Sequence, residues 1–141
     1  MAEIVKITPT NIEKVNFGEV DSTKQKVNFV TPTAVESSDK LYDSTKTYAV
    51  RFQANEKDQK YVILVQNTNA SDAKSAYVVA GDDPTWGGLG DLKVEVAKSS
   101  IVAINVESAA YKQMTNDKGH KEEILIKSDS TDIKVAVVKL P

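Results

Sequence analysis

Val, Ile and Thr account for 38 of the 141 residues of this chain, against only 6 Leu. Branching at Cβ stiffens χ1 and suits a side chain to a pleated surface better than to a helix. The bias argues for strands and against a helical bundle, a coiled coil or a doubly wound α/β enzyme. The length fits one domain that can close a core without metal or disulfide staples.

The placement of these residues sharpens the expectation. Tyr48, Val50 and Phe52 alternate with Ala49, Arg51 and Gln53, and Leu92, Val94 and Val96 alternate with Lys93 and Glu95. Alternation at period two marks a strand with one wet face. Tyr61-Val-Ile-Leu-Val65 is apolar on both faces, as a central strand is. Further strands are expected at 26–30, 75–80, 101–106, 123–127 and 132–140, with 110–114 a weaker strand or bend. Turn residues separate them, as at Asn67-Thr-Asn-Ala-Ser-Asp72 and Thr115-Asn-Asp-Lys-Gly-His120. Short strands at this spacing predict an all-β, antiparallel sandwich, Ig-like or jelly-roll-like, of about eight strands. Residues 26–141 form the sandwich domain in this reading. Residues 1–25, polar with isolated apolar positions and an early Pro9, form an N-terminal arm or edge element.

What the chain lacks narrows its chemistry. It has no Cys and one His, His120. That removes thiol nucleophiles, disulfides and Cys-based metal sites, and leaves His120 as the sole imidazole for any triad. His120 sits in a polar turn and reads as a solvated loop residue. No motif singles out a pair of catalytic carboxylates, so the chain reads as a non-enzyme with no cofactor. The net charge is −2, and 17 of the 18 basic residues are Lys, with Arg51 alone. Phosphate and base recognition favour the guanidinium fork, so nucleic acid is not an expected partner. Lys-rich surfaces instead keep β edges soluble. The first residues lack the basic and apolar regions of a secretory signal, and no apolar run approaches membrane length. The expectation is synthesis as a cytosolic soluble protein with no membrane partner.

The most irregular stretch is Gly81-Asp-Asp-Pro-Thr-Trp-Gly-Gly-Leu-Gly90. Its glycines fit neither a dinucleotide fingerprint nor a Walker loop, and supply the backbone freedom of a tight crossover. Trp86, held in this loop, is a candidate partner contact, because Trp is enriched at interface hot spots. Asp82 and Asp83, with Asp91 nearby, are further candidate contacts. Their carboxylates could gather around calcium, but without EF-hand spacing they read as turn and cap residues, and no metal is expected.

Several segments in order carry a resemblance: Tyr61-Val-Ile-Leu-Val-Gln-Asn-Thr-Asn69, Ala76-Tyr-Val-Val-Ala-Gly-Asp-Asp-Pro84, Trp86-Gly-Gly-Leu-Gly-Asp-Leu-Lys-Val-Glu-Val96, Val106-Glu-Ser-Ala-Ala-Tyr-Lys-Gln113 and Val135-Ala-Val-Val-Lys-Leu-Pro141. Residues 60–141 resemble a group of small tailed-phage capsid decoration (head auxiliary or cement) proteins. The resemblance implies a β-sandwich that coats the outer capsid surface, made in the bacterial host cytoplasm. It implies the major capsid protein as partner, with single copies or homotrimers at three-fold lattice positions. Residues 1–25 would then reach an adjacent subunit or the capsid. A tail or head–tail connector protein is the nearest alternative. A carbohydrate-binding or adhesin sandwich is a third, but it needs an aromatic platform, and the chain has 1 Trp, 5 Tyr and 3 Phe.

Overall fold

A computed structural model describes residues 3–55, 60–83 and 90–141. The described residues form ten strands and one single-turn helix. In chain order the strands are β1 (Val5–Ile7), β2 (Thr10–Asn11), β3 (Thr33–Ala34), β4 (Tyr48–Gln53), β5 (Tyr61–Asn67), β6 (Lys74–Val78), β7 (Leu92–Val96) and β8 (Ser100–Ile104). The helix α1 (Ser108–Tyr111), β9 (Glu123–Ser128) and β10 (Ile133–Lys139) complete the series. The protein is an all-β sandwich. One sheet has six strands, in the order β1-β4-β9-β6-β7 with β3 also on β4, and the other has four, in the order β2-β10-β5-β8.

The core lies between the sheets. Val50 and Phe52 of β4, Ala76 and Val78 of β6 and Ile124 and Ile126 of β9 meet Ile63 and Val65 of β5 and Ile133, Val135 and Val137 of β10. These are the period-two positions, so alternation selects the inward face as expected. Phe52 is fully buried and tilts against Tyr61, ring centroids 5.6 Å apart.

A second, smaller cluster covers the outward face of the six-stranded sheet. Ile4, Val35, Leu41, Val79 and the outward-facing Ala49 and Leu125 are all buried there. This layer explains why every residue of β9 is buried, Glu123 and Lys127 included. The segment leading into β4 forms part of it. Lys46 lies 4.3 Å over the Tyr77 ring and ion-pairs with Asp43 at 3.6 Å and Asp91 at 3.8 Å.

Three sequence expectations change. The sandwich is mostly antiparallel, but β1 runs parallel to β4 and β2 parallel to β10. Both strands come from the first 25 residues, whose beginning is thus stitched to both sheets as edge elements, with Ile4 and Ile7 buried. The alternating stretch 26–30 is not a strand. Only Val30 bridges, to Val135, and Val27 is 37% exposed. Alternation alone makes no strand where no ladder partner lies alongside. Of the two readings of 110–114, strand or bend, the strand does not form: α1 leads into a bend at Lys112.

Candidate interaction surface

The segments that carry the family resemblance fold onto one another. The Gly81 amide donates to the Ala110 carbonyl at 2.8 Å. The Gln113 side chain, fully buried, donates through Nε2 to the Ala80 carbonyl at 2.9 Å, and the Ala80 amide donates to Asp91 Oδ1 at 2.7 Å. A Cβ on Gly81 would stand 2.6 Å from the Lys112 carbonyl oxygen, so only glycine lets the two chain segments approach this closely. These motif residues lock the chain that follows β6 to the segment after α1.

Asp82 belongs to the same lock. Its carboxylate accepts from the Met114 amide at 2.6 Å and from Thr115 Oγ1 at 2.5 Å. Burial pushes this carboxyl up, but the Thr115 hydroxyl and the Met114 and Thr115 amides outweigh it and hold it below its ordinary 3.8. A carboxylate with a lowered folded pKa contributes fully above its unfolded value and loses that contribution as pH falls through the folded value. Asp82→Ala is therefore expected to lower stability by about 1–2 kcal/mol at neutral pH. The difference from wild type should shrink below about pH 4, as urea denaturation at a series of pH values would read. Asp83 is half-buried beside it. Trp86 lies outside the described residues.

The one His and the one Arg converge on a single carboxylate. Glu123 accepts from Arg51 Nη1 at 2.6 Å through Oε2, and its Oε1 lies 3.0 Å from His120 Nδ1. His120 Nε2 lies 3.0 Å from Asp39 Oδ2, and Arg51 Nε donates to the Ile4 carbonyl at 2.9 Å. His120 is thus buried at 9% exposure rather than solvated. The segment carrying Asp39 covers its turn, a contact 81 residues apart that no local pattern reveals. An open cleft of about 360 Å³ lies beside the network, lined by Glu3, Glu36, Asp39, Arg51 and His120. The Arg51 and His120 side chains are already committed to carboxylates and a carbonyl, so the arrangement pins β1, β4, β9 and the Asp39 segment together. Lys127, buried in the outer layer, donates to the Leu41 carbonyl, and burial lowers its pKa. No group of three or more His, Cys, Asp or Glu side chains among the described residues is placed to hold a metal ion.

The most exposed apolar features are elsewhere. Between β2 and Val30 the chain leaves the sandwich as a surface loop whose base is tied to itself. Gln25 Nε2 donates to the Asn11 carbonyl at 3.1 Å, Gln25 Oε1 accepts from the Glu13 amide at 3.0 Å, and Lys24 pairs with Glu13. Asp21 Oδ1 caps the Thr23 and Lys24 amides, each at 3.1 Å. Above this base stand Val15, Val20 and Phe17, the last 93% exposed. A large aromatic held out on a braced loop can enter a pocket on a partner with little loss of conformational entropy. Sequence reading placed the first 25 residues as an arm or edge element but did not single out Phe17. Its signal was a lone aromatic in a polar stretch. The outward face of the four-stranded sheet, unlike that of its neighbour, is half-exposed and apolar along Val62 and Leu64 of β5 and Ile101 and Ala103 of β8.

Among the described residues, no helix is long and apolar enough to cross a membrane. No family model, curated protein or solved structure matches this chain.

Proposed function

We propose that this chain is a non-enzymatic structural protein of a tailed-phage virion. It attaches to the outer surface of the capsid and stabilises the shell, with the major capsid protein as its partner. The observation that carries this reading is the braced loop with Phe17 at its exposed tip. A decoration protein needs a rigid body and one protruding anchor, and no reaction chemistry. The motif residues shared with that group support the reading, because Gly81, Asp82, Asp91 and Gln113 serve to hold the body's shape. The commitment of His120 and Arg51 to carboxylate partners supports it as well. A sugar-binding reading gains little. The exposed large aromatics among the described residues are Phe17 and Tyr42, on separate loops rather than on one platform.

The test mixes purified protein with capsids assembled from a tailed-phage major capsid protein, imaged by electron cryomicroscopy. Regular surface density is expected for the wild type. Phe17→Asp should fold normally and bind at least tenfold more weakly, the cost of losing about 1.4 kcal/mol or more at a buried anchor. Bare capsids at saturating wild-type protein would remove the reading.

A further inference from the structure

Lys127 stands on the outward face of β9, between Ala49 of β4 and Tyr77 of β6, and is 4% exposed. Among the described residues its Nζ has one hydrogen-bond partner, the Leu41 carbonyl, and no carboxylate within ion-pair reach. A cation buried in that way gives up its proton more readily than one in water. The nearby carboxylates are already engaged. Asp43 and Asp91 hold Lys46, at 3.6 and 3.8 Å, and Asp91 also accepts from the Ala80 amide. Lys46 is fixed 4.3 Å over the Tyr77 ring, which keeps a second positive charge on this face. Burial lowers the pKa of Lys127 from its ordinary 10.5, Asp91 and Asp43 only partly oppose this, and Lys46 reinforces it. The amine is not sealed off. An open cleft of about 610 Å³ runs along this face, lined by Lys127, Leu41, Asp43 and Asp91 together with Lys40 and Lys118. Lys40 donates to the Asp117 carbonyl at 3.0 Å, and neither it nor Lys118 pairs with a carboxylate among the described residues.

We propose that Lys127 is a carbonyl-capture site, whose amine forms an imine with a small aldehyde carrying an anionic group that faces Lys40 and Lys118. Desolvation beside a second cation is what makes a lysine nucleophilic near neutral pH. The neutral amine gives one N–H to the Leu41 carbonyl and keeps a lone pair. That pair attacks the aldehyde carbon, and the C–N bond forms. The carbonyl oxygen leaves as water with both amine protons, so no oxidant or reductant is consumed. The imine nitrogen then takes a proton from solvent and renews the contact with Leu41. A phosphate or carboxylate on the aldehyde supplies the negative charge that Lys40 and Lys118 lack in the cleft. This inference does not depend on the capsid reading, since it concerns stoichiometric modification of the chain rather than attachment.

The experiment incubates the full chain with equimolar pyridoxal phosphate, traps imines with cyanoborohydride and maps them by peptide mass spectrometry. Lys127 is expected to be modified about tenfold faster than any of the other 16 lysines. Pyridoxal, the same aldehyde without the phosphate, should modify it about tenfold more slowly. Lys40→Ala with Lys118→Ala should slow the phosphate form to the pyridoxal rate. Lys127→Met should abolish the dominant site, with melting curves to show that the variant is folded; if it is not, the wild-type map alone decides. Label spread evenly over the lysines overturns the proposal, as does an unmodified Lys127. Equal rates for the two aldehydes in the wild type overturn it too, because the anion then plays no part.

Discussion

Glu123→Ala is expected to destabilise the protein by about 3–5 kcal/mol, the range for removing one partner from a buried ion pair. The side chain of Glu123 is 6% exposed and accounts for the Arg51 contact at 2.6 Å and the His120 contact at 3.0 Å. Removing it leaves a guanidinium and an imidazole at one largely desolvated point, with Glu3 3.7 Å from Arg51 and Asp39 3.0 Å from His120. For a domain of this size the loss should lower the melting temperature by about 10 °C or more. Glu123→Gln keeps the volume and one acceptor for Arg51, and should cost less than half as much. If calorimetry finds both substitutions equally mild, the network is not what holds β1, β4, β9 and the Asp39 segment together.

The second large effect is expected at Gly81. Gly81→Ala should cost about 3 kcal/mol, near the upper end for overpacking. Its Cβ would meet the Lys112 oxygen at 2.6 Å, the Ala110 oxygen at 3.1 Å and the Tyr111 carbonyl carbon at 3.2 Å. These are backbone atoms and cannot rotate away, so the segment after α1 must shift and strain the Gly81–Ala110 hydrogen bond. Gly18→Ala provides the contrast. Nothing lies within 4 Å of that Cβ, and only a φ of +93° resists it. There the cost should be about 1 kcal/mol. Equal losses in chemical denaturation at the two sites would show that close approach at Gly81 is not what demands glycine.

The strands were legible in sequence because burial on one face writes a period of two into the chain. β4 and β7 carry that pattern, β5 and β10 read as apolar runs bounded by turn residues, and each lies where its reading indicates. The pattern misleads at 26–30, since alternation records amphipathicity and says nothing about a neighbour in hydrogen-bonding reach. Contacts between distant segments were not legible. The outer layer over Ala49 and Leu125 is assembled from Ile4, Val35, Leu41 and Val79, which share no local period. His120 looked solvated because its own turn is polar, and the residue that covers it, Asp39, stands far away in the chain. Asp82 was singled out for its place in a turn. Its hydrogen-bond partners, Met114 and Thr115, lie 32 and 33 residues on, and only the folded chain brings them together.

The position of β5 also bears on how fast the chain can fold. This strand occupies the middle of the four-stranded sheet, with β8 on one side and β10 on the other. Its ladder to β10 pairs Asn67 with Ile133 and Tyr61 with Lys139, so β5 must wait for a partner far along the chain. The parallel strand β2 waits longer still, since Thr10 pairs with Val138. Loop-closure entropy is lost before such distant pairings return any stabilisation, which places folding in the slow range of milliseconds to seconds. Until β10 arrives, β5 presents open edges and apolar faces during synthesis. The lysines spread over the rest of the chain would then keep that intermediate from pairing with its neighbours.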